Sequence, residues 1–256
     1  MKKLNLLTYI FLTALLFTSC GETGESNEPV EETQDTEVTI NNNEQEQPVD
    51  RVLTAEERNA LTPDDVVAEF HEGNTRYIKD SLTLRDRQTR IAQTGEAQNP
   101  KGMVLSCIDS RVPVEEIFDQ GLGDLFVGRI AGNFADTEML GSMEYATKVA
   151  GSKVLVVLGH KNCGAVKSAI EGVELGNITA LLDHIEPAIA ITEGFPEDQR
   201  SIKNEDYVNA VIKNNVRHTI EEMREKSPII AELENNGDIK ILGAFYDVSN
   251  GTVEFL

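Results

Sequence analysis

The sequence predicts an α/β fold with a central, mainly parallel β-sheet flanked by helices. Short apolar runs at residues 103–105, 125–127 and 154–158 have the length and composition of buried strands. Each run is followed by a segment with helix-starting residues or with apolar residues at helical spacing. Parallel neighbours need a long crossover connection, so this alternation of strands and helices favours a parallel sheet.

The predicted helices are marked by caps and by apolar residues at helical spacing. Thr62 is an N-cap, Pro63 takes the first helical position, and two acids follow in the first turn. In the helix that they open, Val66, Phe70 and Tyr77 share one apolar face. Further helices are expected at residues 84–92, 113–118, 137–150, 178–190 and 206–226, and from residue 165 onward.

Two strands are expected to close the sheet near the C-terminus. Residues 239–246 and 252–255 have the apolar and aromatic composition of strands. A turn at Ser249-Asn250-Gly251 separates them. Together with the earlier elements, these strands place the folded domain at residues 52–256.

The N-terminal residues have the pattern of an export signal. Met1-Lys2-Lys3 precedes an apolar run over residues 4–16, and small residues lead to Cys20. The run is shorter than the ~20 apolar residues of a permanent transmembrane helix. Residues 1–19 are therefore predicted to be a signal peptide, and Cys20 resembles the lipidated cysteine of bacterial lipoproteins. An ordinary secretory signal with an incidental cysteine is the alternative.

Residues 20–51 are predicted to be a lipidated cysteine followed by an acidic, disordered tether. Residues 21–50 contain ten acids and no Lys or Arg, with too few large apolar residues to offset the entropy of ordering. Lipid on Cys20 would anchor an exported protein to a bacterial membrane, on its periplasmic or cell-surface side. The formal net charge of −21 argues against nucleic acid as a partner.

Four candidate metal-binding side chains follow two of the predicted strands. Cys107 and Asp109 come after the first apolar run, at alternate positions that share one side of an extended chain. His160 and Cys163 come after the third run and are separated by only two residues. The carboxyl ends of parallel strands meet at one edge of a sheet, so these four side chains are expected to lie together.

Several interpretations of Cys107 and Cys163 are compatible with this spacing. Two thiolates, one imidazole and a carboxylate form a zinc-type ligand set. Buried cysteines in an α/β core are often inert. In an exported protein the two cysteines could form a disulfide, and a cysteine beside His160 could act as a nucleophile. The spacing alone leaves these interpretations open.

Five short motifs resemble the β-class carbonic anhydrases in order and in interval. The resemblance extends over roughly residues 61–256. Each motif alone is short, but their common order predicts membership of this family. The motifs are Cys107-Ile108-Asp109-Ser110-Arg111, Gly123-Asp124-Leu125-Phe126-Val127 with Arg129, Ala131-Gly132-Asn133, Gly141-Ser142-Met143-Glu144-Tyr145-Ala146 and Gly159-His160-Lys161-Asn162-Cys163-Gly164-Ala165.

The resemblance implies a β-carbonic anhydrase-like fold and a zinc enzyme that hydrates CO₂ reversibly to bicarbonate and a proton. It implies Zn²⁺ on Cys107, His160 and Cys163, with a zinc-bound hydroxide as the nucleophile. Asp109 and Arg111 would form the family's carboxylate–guanidinium pair. In the active state Arg111 holds Asp109 away from the metal, whereas in the resting state of some members Asp109 is itself a zinc ligand.

The resemblance also implies a substrate pocket and an oligomer. Gln98, Phe126 and Tyr145 would flank the substrate, with plain core packing as the alternative role. Members of the family form homodimers and often homotetramers. Two other functions remain open on the same scaffold: hydrolysis of carbon disulfide or carbonyl sulfide, and a non-catalytic zinc-binding surface module. The pair of Asp109 and Arg111 argues against the second, because a structural zinc site needs neither residue.

Overall fold

A five-stranded β-sheet organises residues 51–256, which are the residues that the computed structural model describes. The strands are β1 (Gly102–Ser106), β2 (Leu125–Arg129), β3 (Val154–His160), β4 (Lys240–Tyr246) and β5 (Val253–Phe255). They are arranged in the order β2-β1-β3-β4-β5. The first four are parallel, and β5 runs antiparallel to β4. The sheet therefore has the predicted, mainly parallel character.

Helices surround this sheet on both faces. Within the described residues, none of them combines the length and the apolar character needed to cross a membrane. The α-helices are α1 (Ala55–Ala60), α2 (Pro63–Ile78), α3 (Arg87–Thr94), α4 (Val114–Ile117), α5 (Thr137–Glu144), α6 (Gly164–Ile170), α7 (Asn177–Leu182), α8 (Glu186–Ala190), α9 (Glu205–Lys226) and α10 (Pro228–Asn235).

Side chains on opposite faces of the central strands enter two separate apolar cores. Met103 and Leu105 of β1 belong to one core, together with residues of α9 such as Val216. Val104, which lies between them, belongs to the other core with Phe70 of α2. Every residue of β1 and β3 is buried, because helices cover both faces of these strands. The carboxyl ends of the two strands are thus held side by side within the packed interior.

The predicted fold class is confirmed, and two predicted helices differ in detail. The helix expected at residues 137–150 is α-helical as far as Glu144 and continues as a π-helix over Tyr145–Val149. Apolar spacing does not signal this wider turn. The segment expected to be helical at residues 178–190 is divided into α7 and α8. Pro187, which lacks a main-chain N–H, lies in the first turn of α8.

Two short helices, α1 and α10, are indicated by their caps and not by apolar spacing. Thr54 accepts a hydrogen bond from the Glu57 main-chain N–H, and the Glu57 side chain returns to the Thr54 main chain. Ser227 caps α10, with Pro228 at its first position. The two helices have six and eight residues, too few for a clear periodic signal. Neither helix is among those expected from the sequence.

Candidate metal centre

The carboxyl ends of β1 and β3 bring Cys107, His160 and Cys163 together. The two strands pair in parallel along the whole of β1, so the residues that follow them leave the sheet at the same edge. Asn162, in the turn after β3, has a φ of 60°, a left-handed conformation that Asn adopts more readily than most residues. This turn allows Cys163 to lie next to His160 in one buried group.

The three candidate ligand atoms are compactly arranged. They all lie within 4.8 Å of one another, and the two sulfur atoms are 4.0 Å apart. Two thiolates bound to a tetrahedral zinc at ~2.3 Å each would lie roughly 3.8 Å apart. The disulfide interpretation is wrong for this structure, because both cysteines are free and a disulfide needs an S–S distance of ~2.05 Å. The donor set and its spacing therefore fit zinc.

His160 presents an unpartnered ring nitrogen to this group. Its ring is fully buried, and Nδ1 lies 3.0 Å from the carbonyl oxygen of Lys161. A proton on Nδ1 would be donated there, which leaves the lone pair on Nε2. Nε2 is buried and has no hydrogen-bond partner among the described residues. Histidine ligands commonly donate their second N–H to a carbonyl, so this orphaned nitrogen supports the metal site.

The two thiols differ in their tendency to ionise. The neighbouring Cys163 thiol lowers the pKa of Cys107, and burial opposes this effect. His160 and the main-chain N–H groups of Gly132 and Asp109 lower the pKa of Cys107 further. The Cys107 sulfur, together with burial, raises the pKa of Cys163. The site thus favours a thiolate at Cys107, which is the form that binds a metal.

Asp109 lies beside the candidate ligands but is held by Arg111. Arg111 Nε and Nη2 donate to the two carboxylate oxygens at 3.0 and 2.8 Å, and the Arg111 main-chain N–H donates to Oδ1 at 2.9 Å. The hydrogen bonds from the Arg111 side chain lower the pKa of Asp109 to about 2. Asp109 Oδ2 is 3.9 Å from His160 Nε2. An ionised carboxylate therefore lies next to the ligands while both of its oxygens are bonded to a guanidinium.

Asn215 of α9 supports this centre from a distant part of the chain. Its Nδ2 donates to the Gly132 carbonyl oxygen at 2.7 Å, and the Gly132 N–H is directed to the Cys107 sulfur. Gly132 has a φ of +82°, and a Cβ there would lie 2.5 Å from Ile185 Cδ1. Glycine, which has no Cβ, adopts this conformation and this close approach without strain. Nothing in the sequence indicates Asn215, because its partner is 83 residues away.

The three residues expected at the substrate pocket lie in two other hollows of the single chain. Phe126 and Tyr145 are in edge-to-face contact, with ring centroids 6.3 Å apart, and they line an apolar hollow of about 550 Å³. Phe126 pairs with Met103, which precedes Cys107 by four residues, or roughly 13 Å along an extended strand. Gln98 is exposed and lines a different hollow.

The fold and the Cys₂His group define a zinc-binding α/β protein with a restrained carboxylate beside the metal site. The family model described as carbonic anhydrase matches residues 102–253, which include all of the candidate ligands. A carbonic anhydrase of Mycolicibacterium smegmatis is 34% identical over 190 residues, covering 72% of this chain and 88% of the relative. The chain therefore belongs to the carbonic anhydrase family.

Solved structures of β-carbonic anhydrases have the same fold. The enzyme CafA of Aspergillus fumigatus matches with a TM-score of 0.60 and 21% identity, over 75% of this chain and 89% of that chain. A chain from the crystal structures of two tetrameric β-carbonic anhydrases of Sordaria macrospora matches with a TM-score of 0.53 and 24% identity, over 66% of this chain and 90% of that chain. The predicted family and the predicted activity, zinc-dependent reversible hydration of CO₂ to bicarbonate and a proton, are confirmed.

Proposed function

We propose that Cys107, His160 and Cys163 hold the catalytic zinc and that Asp109, oriented by Arg111, acts in the reaction. The position of the carboxylate carries this proposal: it lies 3.9 Å from the orphaned nitrogen of His160, yet it is bonded to the guanidinium. Bound zinc would lower the pKa of a water and so supply a nucleophile, which is its established role in carbonic anhydrases. The chain's own side chains must then orient the reacting groups.

Asp109 is suited to orient the reacting water. An ionised carboxylate only accepts hydrogen bonds, so it fixes the direction of a water O–H without delivering a proton of its own. The two side-chain donors of Arg111 each bond one carboxylate oxygen and fix the plane of the group, and the Arg111 main-chain N–H is a second donor to Oδ1, so Oδ2 keeps a lone pair for the water. Held in this way, Asp109 accepts from the water and does not turn to the metal.

The ligand count and the exposure of the pair distinguish this arrangement from a structural zinc site. Structural zinc usually has four protein ligands, whereas the group here supplies three. The side chain of Arg111 is 51% exposed. The Asp109 side chain is 18% exposed, so only the arginine side of the pair is open to solvent. Surface ion pairs contribute only ~0–1 kcal/mol to stability, which is little reason for a pair at this position. A site with an open position and an oriented acceptor is what a catalytic zinc requires.

Stopped-flow measurement of CO₂ hydration by the mature protein tests the assignment. We expect hydration at neutral and mildly alkaline pH to disappear after zinc chelation and to return when zinc is added back. Asp109→Ala is expected to keep zinc and to lose roughly 100-fold in rate. Asp238→Ala, which removes an exposed acid in a turn, is the matched control. Equal rates in the Asp109 variant and the wild type would refute the role of Asp109.

We further propose that a second copy of the chain covers the hollow lined by Phe126 and Tyr145. Tyr145 is 53% exposed, Val149 is 69% exposed, and β2 is an edge strand of the sheet. Exposed aromatic surface beside an unpaired strand edge is typical of an interface. In the oligomer, a homodimer or homotetramer, Phe126, Tyr145 and Gln98 would flank the substrate, CO₂ or bicarbonate. The tetrameric Sordaria relatives support this proposal by analogy.

Light scattering combined with rate measurements tests the oligomer. We expect Tyr145→Glu to lower the mass of the particle and the hydration rate together, while zinc stays bound. Glu138→Gln, which keeps the size of another residue lining the same hollow, should preserve both mass and rate. A wild-type protein that is fully active as a monomer would contradict the proposal.

We also propose that the enzyme is exported and anchored by lipid on Cys20. Support comes from the sequence alone: the two lysines, the apolar run at residues 4–16 and the small residues before Cys20. The signal peptide at residues 1–19 and Cys20 lie outside the described residues, as does nearly all of the expected tether. Mass spectrometry of the mature N-terminus is expected to find diacylglycerol on Cys20, and Cys20→Ser should release the protein from the membrane. An unmodified N-terminus beginning elsewhere would rule out this anchor.

A further inference from the structure

Arg129, the last residue of β2, contacts the main chain of two residues of the site. Its Nε donates to the Cys107 carbonyl oxygen at 2.9 Å, and its Nη2 donates to the Asp109 carbonyl oxygen at 2.6 Å. Arg129 lies opposite Ser106, the last residue of β1, in the parallel ladder. One guanidinium therefore spans the segment that begins where β1 ends.

We propose that Arg129 is a positioning residue that fixes the Asp109 carboxylate relative to the Cys107 sulfur. The Arg129 guanidinium bonds neither the Cys107 sulfur nor the Asp109 carboxylate. It acts through the main-chain carbonyl groups of Cys107 and Asp109. The inference rests on the proposed roles of Cys107 and Asp109. It adds to them a mechanical link between a metal ligand and the group that orients the water.

The segment after β1 needs such a link because the sheet no longer holds it. The ladder between β1 and β2 ends at Ser106, and Ile108 is 62% exposed. Beyond the ladder, the Asp109 carbonyl oxygen accepts the Val112 main-chain N–H at 3.1 Å, but this bond lies within the segment and does not tie it to the sheet. Arg129 supplies two donors from a neighbouring strand, and the position of that strand is set by the buried β1.

Arg111 does not perform the same task. It is only two residues from Asp109, and both its side chain and its main-chain N–H bond to the Asp109 carboxylate, so it moves with the segment that it would have to fix. Its contact with the turn after β3, from Nη2 to the Asn162 carbonyl oxygen, is long at 3.4 Å. Arg129 belongs to β2 and therefore ties the segment to a part of the chain that does not move with it. We therefore expect Arg111 to set the orientation of the carboxylate and Arg129 to set its distance from the Cys107 sulfur.

The fork of the guanidinium matters more than its charge. Two separate N–H groups of the planar Arg129 guanidinium bond the carbonyl oxygens of Cys107 and Asp109, which are two residues apart. A lysine would bring the same charge as a single compact ammonium without a preorganised fork. Arg129→Lys should therefore recover only part of what Arg129→Met loses.

The test uses Arg129→Met and Arg129→Lys in the full-length protein, with Arg224→Met as the matched control. Arg224 also uses Nε and Nη2, on the Glu234 carboxylate at 2.8 and 2.7 Å, far along α9 from the site residues. Zinc content, kcat, KM and the visible spectrum of the cobalt-substituted protein are measured. We expect Arg129→Met to bind zinc fully, to lose roughly 10- to 100-fold in kcat with little change in KM, and to alter the cobalt spectrum. Arg129→Lys should be intermediate and Arg224→Met normal.

Wild-type kcat and an unchanged cobalt spectrum in Arg129→Met would overturn the inference. If that variant does not fold, Arg129→Gln and Arg129→Lys decide the question by the same two measurements. Failure of the proposed function looks different: Asp109→Ala would then keep its rate, or Cys163→Ser would keep its zinc. Suppose that Asp109→Ala loses its rate and Cys163→Ser loses its zinc, while Arg129→Met keeps wild-type kcat and cobalt spectrum. The proposed function would then stand, and only the positioning role of Arg129 would be refuted.

Discussion

His160 Nε2 and Asp109 Oδ2 lie 3.9 Å apart, and the histidine nitrogen is unpartnered among the described residues while the carboxylate is bonded to Arg111. The two groups thus lie beside the same space: His160 is held through Nδ1 by the Lys161 carbonyl oxygen and presents a free Nε2, whereas both oxygens of the Asp109 carboxylate are bonded to Arg111. Carboxylate oxygens are themselves good zinc ligands, so a released Asp109 would compete with water for the metal. The restraint by Arg111 favours the state in which water keeps its place.

Replacement of Arg111 by lysine is expected to impair the enzyme although the charge is kept. An ammonium cannot make the two parallel hydrogen bonds that hold the plane of the Asp109 carboxylate. We expect a loss of roughly 10- to 100-fold in kcat/KM with zinc still bound, measured by stopped flow and metal analysis. Arg224→Lys, which alters a similar bidentate pair with Glu234, should have normal kinetics. A near-normal rate in Arg111→Lys would show that the bidentate pair is dispensable.

Loss of one thiolate is expected to abolish metal binding without unfolding the chain. Cys163 is fully buried beside Cys107, and serine has nearly its shape but is a much poorer zinc ligand. Cys163→Ser should purify with little zinc, show no hydration activity and keep the circular dichroism of the wild type. Cys20→Ser, which changes the cysteine outside this group, should retain one zinc per chain. Full zinc content in Cys163→Ser would exclude the Cys₂His centre.

Alanine at Gly132 is expected to weaken both the fold and the metal site. The residue has a φ of +82°, and a new Cβ would lie 2.5 Å from Ile185 Cδ1. Gly172→Ala is the control, because its φ is +65° and a Cβ added there would meet nothing within 4 Å. Urea unfolding should show a loss of about 1–3 kcal/mol more for Gly132→Ala than for the control. Zinc should also dissociate faster from Gly132→Ala than from the wild type. Equal losses of unfolding free energy in Gly132→Ala and Gly172→Ala would show that the residues around Gly132 move aside for the methyl group.

Asparagine at Asp119 is expected to destabilise the domain in a pH-dependent manner. Burial opposes ionisation of Asp119, but hydrogen bonds from Arg76, Arg85 and Thr83 outweigh it and lower the pKa of this carboxyl. A lowered folded-state pKa stabilises the fold above the unfolded value of about 3.9, and this contribution is lost as the pH falls through the folded value.

Thermal and urea unfolding measure this effect. Asp119→Asn should lose about 3 kcal/mol at pH 7, because two arginines lose a shared buried counter-ion. The difference in unfolding free energy between Asp119→Asn and the wild type should become smaller below about pH 4. Asp64→Asn, which alters an exposed pair with Lys240, should change stability by less than about 1 kcal/mol at any pH. A difference for Asp119→Asn that does not change with pH would contradict the role of its charge.

The parts of the site that were predictable are those that follow strand ends. Cys107 and His160 lie together because each belongs to the end of a buried strand, and parallel strands end at a common edge. The contacts of Arg129 and Asn215 were not predictable, because they join side chains to carbonyl groups far away in the chain. Tyr145 illustrates a third case. A sequence motif singled out Tyr145 as a candidate pocket residue, but its conformation depends on a π-helical turn that apolar spacing does not encode.

The central position of β1 and β3 has a consequence for how the enzyme acquires its metal. Strands buried along their whole length exchange their amide hydrogens only through the largest opening reactions of a protein. Cys107 directly follows β1 and His160 is the last residue of β3, so we expect the arrangement of these two ligands to persist in the apoenzyme. We therefore expect zinc to enter a preorganised site and not to be required for folding, unlike the metal of small zinc domains. Reloading of the apoenzyme should accordingly proceed at the rate of metal encounter, without a refolding phase.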